Sequence, residues 1–112
     1  MQRKATKNTR GPNADEKRFQ GWLKTHHCAW CGNEGPSIVD HARGATFKHN
    51  KTLVGHWFCL SACAICDEEK TIRGKRLGDE SFAWGRLHQD YFNEMGKSAP
   101  IDVERAIGDW GK

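Results

Sequence analysis

At 112 residues with 37% hydrophobic content and a mean hydropathy of −0.82, the chain is the size of one domain with a small core. Five tryptophans and five phenylalanines exclude a disordered polar chain, and the lack of a run of about 18 apolar residues excludes a membrane span. A start of Met-Gln-Arg-Lys with no apolar stretch behind it reads as no secretory leader, so the reducing cytoplasm is the expected compartment. The net charge of +4 sits in a basic tail, residues 1–13, where Arg3, Lys4, Lys7 and Arg10 meet no acid. Such a flexible arm suits nonspecific contact with nucleic-acid phosphates. Residues 14–112 read as one domain.

In chain order, Asn13 and Glu16 have the spacing of a capping box. Phe19, Trp22, Leu23 and His26 then share one face of a helix over about 14–26. Cys28-Ala-Trp-Cys31-Gly-Asn reads as a tight knuckle, and Ser37–His41 as a short strand with polar residues at its end. Residues 42–52 read as a loop, and 52–60 as a second strand. Cys63-Ala-Ile-Cys66 enters a helix that Gly74 stops. Asp79 and Glu80 open another helix with Trp84, Leu87, Tyr91 and Met95 on one face, and Pro100 starts a last helix over about 101–109. Phe82 and Phe92, like Trp84 and Tyr91, are expected in the core.

Two C-x2-C pairs, Cys28/Cys31 and Cys63/Cys66, supply four soft thiolates, the ligand set of tetrahedral zinc. A closed thiolate shell leaves no position for water, so this Zn2+ is expected to be structural. The fifth cysteine, Cys59, lies in an apolar run and reads as a buried packing residue.

Between the pairs stands Asp40-His41, and Asp67 directly follows Cys66, with Lys70 three residues on. This order resembles the zinc-containing HNH (His-Me finger, ββα-metal) endonucleases, whose pattern is C-x2-C, an Asp-His or His-His pair, a loop, then C-x2-C-[Asn/His]-x-x-Lys. It is also similar to the phage recombination endonucleases. The resemblance covers about residues 28–74. It implies an α+β fold with a ββα-metal core on a four-cysteine zinc site, flanked by an N-terminal helix and C-terminal helices. It also implies a phage origin, a DNA partner and hydrolysis of phosphodiester bonds with low sequence specificity.

The chemistry is arguable from the residues alone. A neutral imidazole accepts a proton from water at neutral pH, which suits His41 as general base. Asp40 and Asp67 offer hard oxygens for a catalytic Mg2+ or Mn2+. Arg43, Lys70, Arg73, Lys75 and Arg76 are candidate phosphate contacts. Two departures from the pattern stand out: Asp67 replaces Asn or His, and no Asn precedes the second pair, where His56 is the nearest polar candidate and Asn50 lies further back. These departures motivate an alternative, a catalytically inactive zinc module binding nucleic acid or a protein. A branched-DNA recombination nuclease is a further alternative, and a protein partner or a homodimer fits any of the three.

Overall fold

A computed structural model describes residues 12–42, 48–49 and 52–109. Arg3, Lys4, Lys7, Arg10, Arg43, Asn50 and Trp110 lie outside the described residues.

Helix α1 spans Ala14–Lys24 and begins in the expected capping box. The Asn13 side chain accepts the Glu16 N–H at 2.8 Å, and a Glu16 carboxylate oxygen accepts the Asn13 N–H at 2.8 Å. The helix stops short of the expected 26, because the Thr25 N–H turns back to the carbonyls of Trp22 and Leu23. His26 still extends the apolar face, its ring stacked on Trp22 with centroids 4.4 Å apart.

Strand β1 (Ile38–His41) runs antiparallel to β4 (Cys59–Ala62), with Ile38 opposite Ala62 and His41 opposite Cys59. Two expectations are corrected between them. The stretch read as loop, 42–52, contains β2 (Lys48–His49), which pairs with β3 (Thr52–Leu53). The single strand read over 52–60 is broken, because Gly55 takes φ +68° and turns the chain. The apolar run Trp57-Phe58-Cys59-Leu60 is buried throughout, so it carries no alternation that would have marked where β4 begins.

Cys63 caps helix α2 (Ala64–Thr71), and Gly74, at φ +71°, donates its N–H to the Lys70 carbonyl just beyond it. Helix α3 (Glu80–Met95) opens on Asp79, whose carboxylate accepts the Phe82 N–H at 3.1 Å, and closes on left-handed Gly96. Helix α4 covers Ile101–Gly108. The described residues therefore form an α+β arrangement with four helices, a two-stranded β1–β4 sheet and the small β2–β3 ladder. None of these helices is long and apolar enough to cross a membrane.

The core forms where α1 and α3 close over β4, whose four residues are all buried, with α4 packed on α3 and β3. Phe19, fully buried, packs edge-on against Tyr91 at 4.9 Å and tilted against Trp57 at 5.6 Å. Trp84 donates its indole N–H to the Trp57 carbonyl at 2.8 Å and stacks on His88 at 4.5 Å. His88 in turn accepts the Ala99 N–H at 2.9 Å, which ties the α3–α4 connection to the core. Trp84 and Tyr91 are buried as their spacing predicts, but Phe82 and Phe92 are 66% and 51% exposed. The buried stripe of α3 is Trp84, Leu87, His88 and Tyr91, and the two phenylalanines fall off it. Met95 is also largely exposed, at the end of the helix.

Two tests follow from this packing. Phe19→Ala is expected to lower unfolding free energy by about 3–5 kcal/mol, read from denaturant midpoints at unchanged slope. Burial holds His88 below the ordinary histidine range, and Glu104 offsets this only in part. The unfolded state, protonating near pH 6.5, therefore gains protons before the folded one, so this part of the stability is full above pH 6.5 and lost as pH falls. A thermal melt series from pH 7 to 5 should show that loss, and His88→Gln, which keeps an acceptor for Ala99, should show less of it.

Candidate functional site

The four cysteines converge as their spacing predicts. The ligand atoms of Cys28, Cys31, Cys63 and Cys66 all lie within 4.8 Å of one another, with the Cys31 and Cys63 sulfurs 3.7 Å apart. A tetrahedral ion with bonds near 2.3 Å separates its sulfurs by roughly 3.8 Å, so the cluster has the size to hold a metal such as zinc.

Local structure explains the convergence. The first knuckle folds back through Gly32 N–H to Cys28 O at 3.0 Å and Cys28 N–H to Asn33 O at 2.9 Å, with Gly32 at φ +78°. It is stitched to β4 by the Ala29 N–H on Ser61 O at 2.9 Å and by the Ser61 hydroxyl on His27 O at 2.8 Å. The second pair sits on the first turn of α2, where Cys63 accepts the Cys66 N–H at 3.4 Å. Cys28 likewise accepts the Trp30 N–H at 3.4 Å. Such N–H···S bonds orient ligands and favour thiolate. Burial pushes the Cys28 thiol up, but the backbone donors of Cys31, Cys63 and Trp30 outweigh it and bring Cys28 to about 7. Burial and the neighbouring sulfurs push Cys66 up instead. One thiolate is thus easily formed, while a full set needs a cation among them. Cys59, the fifth, is buried, with burial pushing its thiol up to about 12, and donates to His56 O at 3.1 Å.

Asp40 and His41 end β1, which hydrogen bonds to the strand leading into the second knuckle. His41 Nε2 lies 3.2 Å from His56 Nδ1, with the rings edge to face. Burial, with the nearby His56, lowers the His41 pKa, against a smaller opposing effect of Asp40, so its imidazole is neutral at pH 7. Asp67 lies in the first turn of α2, accepts the Thr71 hydroxyl at 3.3 Å, and is close enough for its charge to help raise the Asp40 pKa.

Lys70 sits differently from expectation. Its ammonium, on a side chain only 9% exposed, turns inward to Asp40 Oδ2 at 2.7 Å, to the His41 carbonyl at 3.1 Å and to Glu80. Burial raises the Asp40 pKa, an effect that Lys70 opposes and that Asp67 and Glu80 reinforce. Desolvation works against the Lys70 charge, but the bonds to Asp40 and Glu80 prevail and raise its pKa, so the ammonium persists. Glu80, visible in the sequence only as a helix opener, is thereby joined to Asp40 through Lys70.

The other described candidate phosphate contacts, Arg73, Lys75 and Arg76, are exposed. Arg73 and Lys75 both pair with Glu69, at 3.4 and 2.6 Å, and Arg76 and Lys75 line a cleft of about 190 Å³ beside Trp30. The Trp30 ring packs so closely on Gly78 that a Cβ there would lie 2.8 Å from it.

Glu16 was visible only as a capping residue. It is 2% exposed, and its second carboxylate oxygen accepts the His56 N–H at 2.8 Å, linking α1 to the turn beside His41. No family model, curated protein or solved structure matches the chain.

The metal assignment is directly testable. Protein purified under reducing conditions is expected to bind one zinc per chain, measured by elemental analysis. Cys28→Ser and Cys66→Ser should each lose it and unfold at lower denaturant, and chelator should act likewise on the parent protein. An unfolding midpoint unmoved by chelator would contradict a structural role.

Proposed function

We propose that the protein is a metal-dependent DNA endonuclease of HNH type, with a structural zinc on the four cysteines and a ββα-metal core formed by β1, β4 and α2. The observation that carries this reading is the placement of His41, next to Asp40 on a strand paired with the one that leads through the second cysteine pair to Asp67.

In this reading His41 accepts the proton of the attacking water, which a neutral imidazole does at pH 7. Asp40 and Asp67 supply the hard oxygens that magnesium or manganese requires. That Lys70 already rests on Asp40 marks this carboxylate as a place where positive charge is stabilised. When bound, such a cation neutralises charge on the phosphate and on the leaving 3′ oxygen. Lys70, itself paired with Glu80, holds the Asp40-His41 dipeptide through the Asp40 carboxylate and the His41 carbonyl. Lys70 is therefore assigned to positioning, in place of the DNA contact its sequence position suggests.

Phosphate contact falls to Arg73, Lys75 and Arg76, together with Arg43 and the tail residues Arg3, Lys4, Lys7 and Arg10. The pairs of Arg73 and Lys75 with Glu69 join exposed cations, at about 60% and 59%, to a less exposed acid. Exposed pairs of this kind contribute only about 0–1 kcal/mol, so exchanging Glu69 for phosphate costs little.

Two observations favour a second reading, a zinc module that binds nucleic acid without cutting it. Asp40 is neutralised by Lys70, and the family's middle Asn is absent. The two readings part on turnover. Zinc-loaded protein is expected to nick supercoiled plasmid with magnesium or manganese, and His41→Ala to slow nicking by about 10²–10⁴-fold. Undiminished cleavage by His41→Ala would remove His41 from the mechanism, and DNA binding without nicking under either metal would favour the second reading.

A further inference from the structure

The His41 ring belongs to a chain of contacts that begins in the first turn of α1. His41 Nε2 and His56 Nδ1 are 3.2 Å apart, and the ring centroids, at 5.4 Å, leave the two nitrogens nearly on the line between the rings. That is the geometry of one N–H···N bond, with one ring donating and the other accepting. A neutral histidine intrinsically prefers its proton on Nε2. With both rings in that form, His41 Nε2–H donates to His56 Nδ1, and His41 Nδ1 remains as its open acceptor. The position of His56 is set by its own backbone, whose N–H is held by the Glu16 carboxylate at 2.8 Å. The other oxygen of that carboxylate closes the capping box of α1.

We propose that Glu16 is a positioning residue for His41, acting through His56, and that this chain leaves Nδ1 as the proton-accepting atom of His41. The proposal rests on the reading of His41 as base, but its structural half is independent of turnover. A buried carboxylate is suited to this task. It accepts with both oxygens at once, so one group fixes both the start of α1 and the turn that carries His56. His56 in turn contacts the base directly.

The test is NMR of the zinc-loaded, nitrogen-15-labelled full chain. Long-range ring correlations report which nitrogen of each histidine is protonated, and exchange reports whether the shared proton is protected. Three substitutions separate positioning from mere folding. Glu16→Met has similar length and no acceptor. Glu16→Gln keeps one acceptor, which is expected to serve the N–H of half-buried His56 while the N–H of Asn13, an exposed residue, turns to water. Asn13→Ala removes the cap side chain and leaves Glu16 in place. The parent protein should show Nε2-protonated His41 with a protected ring proton. Exchange of that proton should quicken at least ~10-fold in Glu16→Met and stay within about twofold in Glu16→Gln and Asn13→Ala.

Protection in Glu16→Met equal to the parent would overturn the proposal, as would equal loss in Asn13→Ala or Nδ1-protonated His41 in the parent. Should Glu16→Met fail to fold, the parent alone decides. The His56 amide and the shared ring proton are then expected to exchange through one common opening as temperature is raised, and unrelated rates would refute the link. Where plasmid nicking is measurable, Glu16→Met should lower kcat with KM unchanged. A chain that never cuts DNA removes the proposed function and leaves the ring signature to decide this contact.

Discussion

Four sulfurs gathered within 4.8 Å of one another form the constraint from which the rest of the site takes its place. Ionised together without a cation they would repel, and as thiols they would bury little that holds a fold. With a dication among them, each sulfur becomes an anchor for the backbone that carries it. The first pair is pinned to β4 through Ser61, and the second forms the opening turn of α2. The cluster thus sets the angle between the β1–β4 pair and α2, and with it the approach of Asp67 to Asp40. A core built on few large aromatics, around Phe19 and Trp84, supports that frame from the other side.

A second layer of order comes from buried charge. Lys70 joins Asp40 of β1 to Glu80 of α3, and Glu16 joins α1 to the turn at His56. Removing one partner from such a contact strands the other, which makes these links costly to break and precise in what they position. They also set up a competition. The Asp40 carboxylate that the proposed mechanism offers to a divalent cation is the same one that Lys70 holds. The proposed activity therefore depends on Asp40 serving a divalent cation as well as Lys70, or on Lys70 yielding.

Much of this was legible in the sequence where short-range rules apply. The Asn13/Glu16 box, the C-x2-C knuckles, the Asp79 cap and the stripe from Trp84 to Tyr91 each depend on residues a few positions apart. What was missed depends on distant partners. Lys70 reads as a surface base among Glu68, Glu69, Arg73 and Lys75, and only the approach of β1 and α3 turns it inward. Glu16 is complete as a capping residue, so nothing in its neighbourhood asks for the second partner 40 positions away. The break at Gly55 was hidden because a fully buried apolar run has no period from which to read a strand boundary. Phe82 and Phe92 mislead in the opposite way, as aromatic side chains standing off the buried stripe.

The proposed function divides the labour between two metals, zinc as frame and a separate hard cation at Asp40 and Asp67 for chemistry. The most direct measurement holds the protein at one zinc per chain, removes all other metal, and follows plasmid nicking as magnesium or manganese is restored. The expected result is no nicking with zinc alone and saturable nicking on adding either ion, with the zinc content unchanged throughout. Full nicking by the zinc-only protein would contradict it.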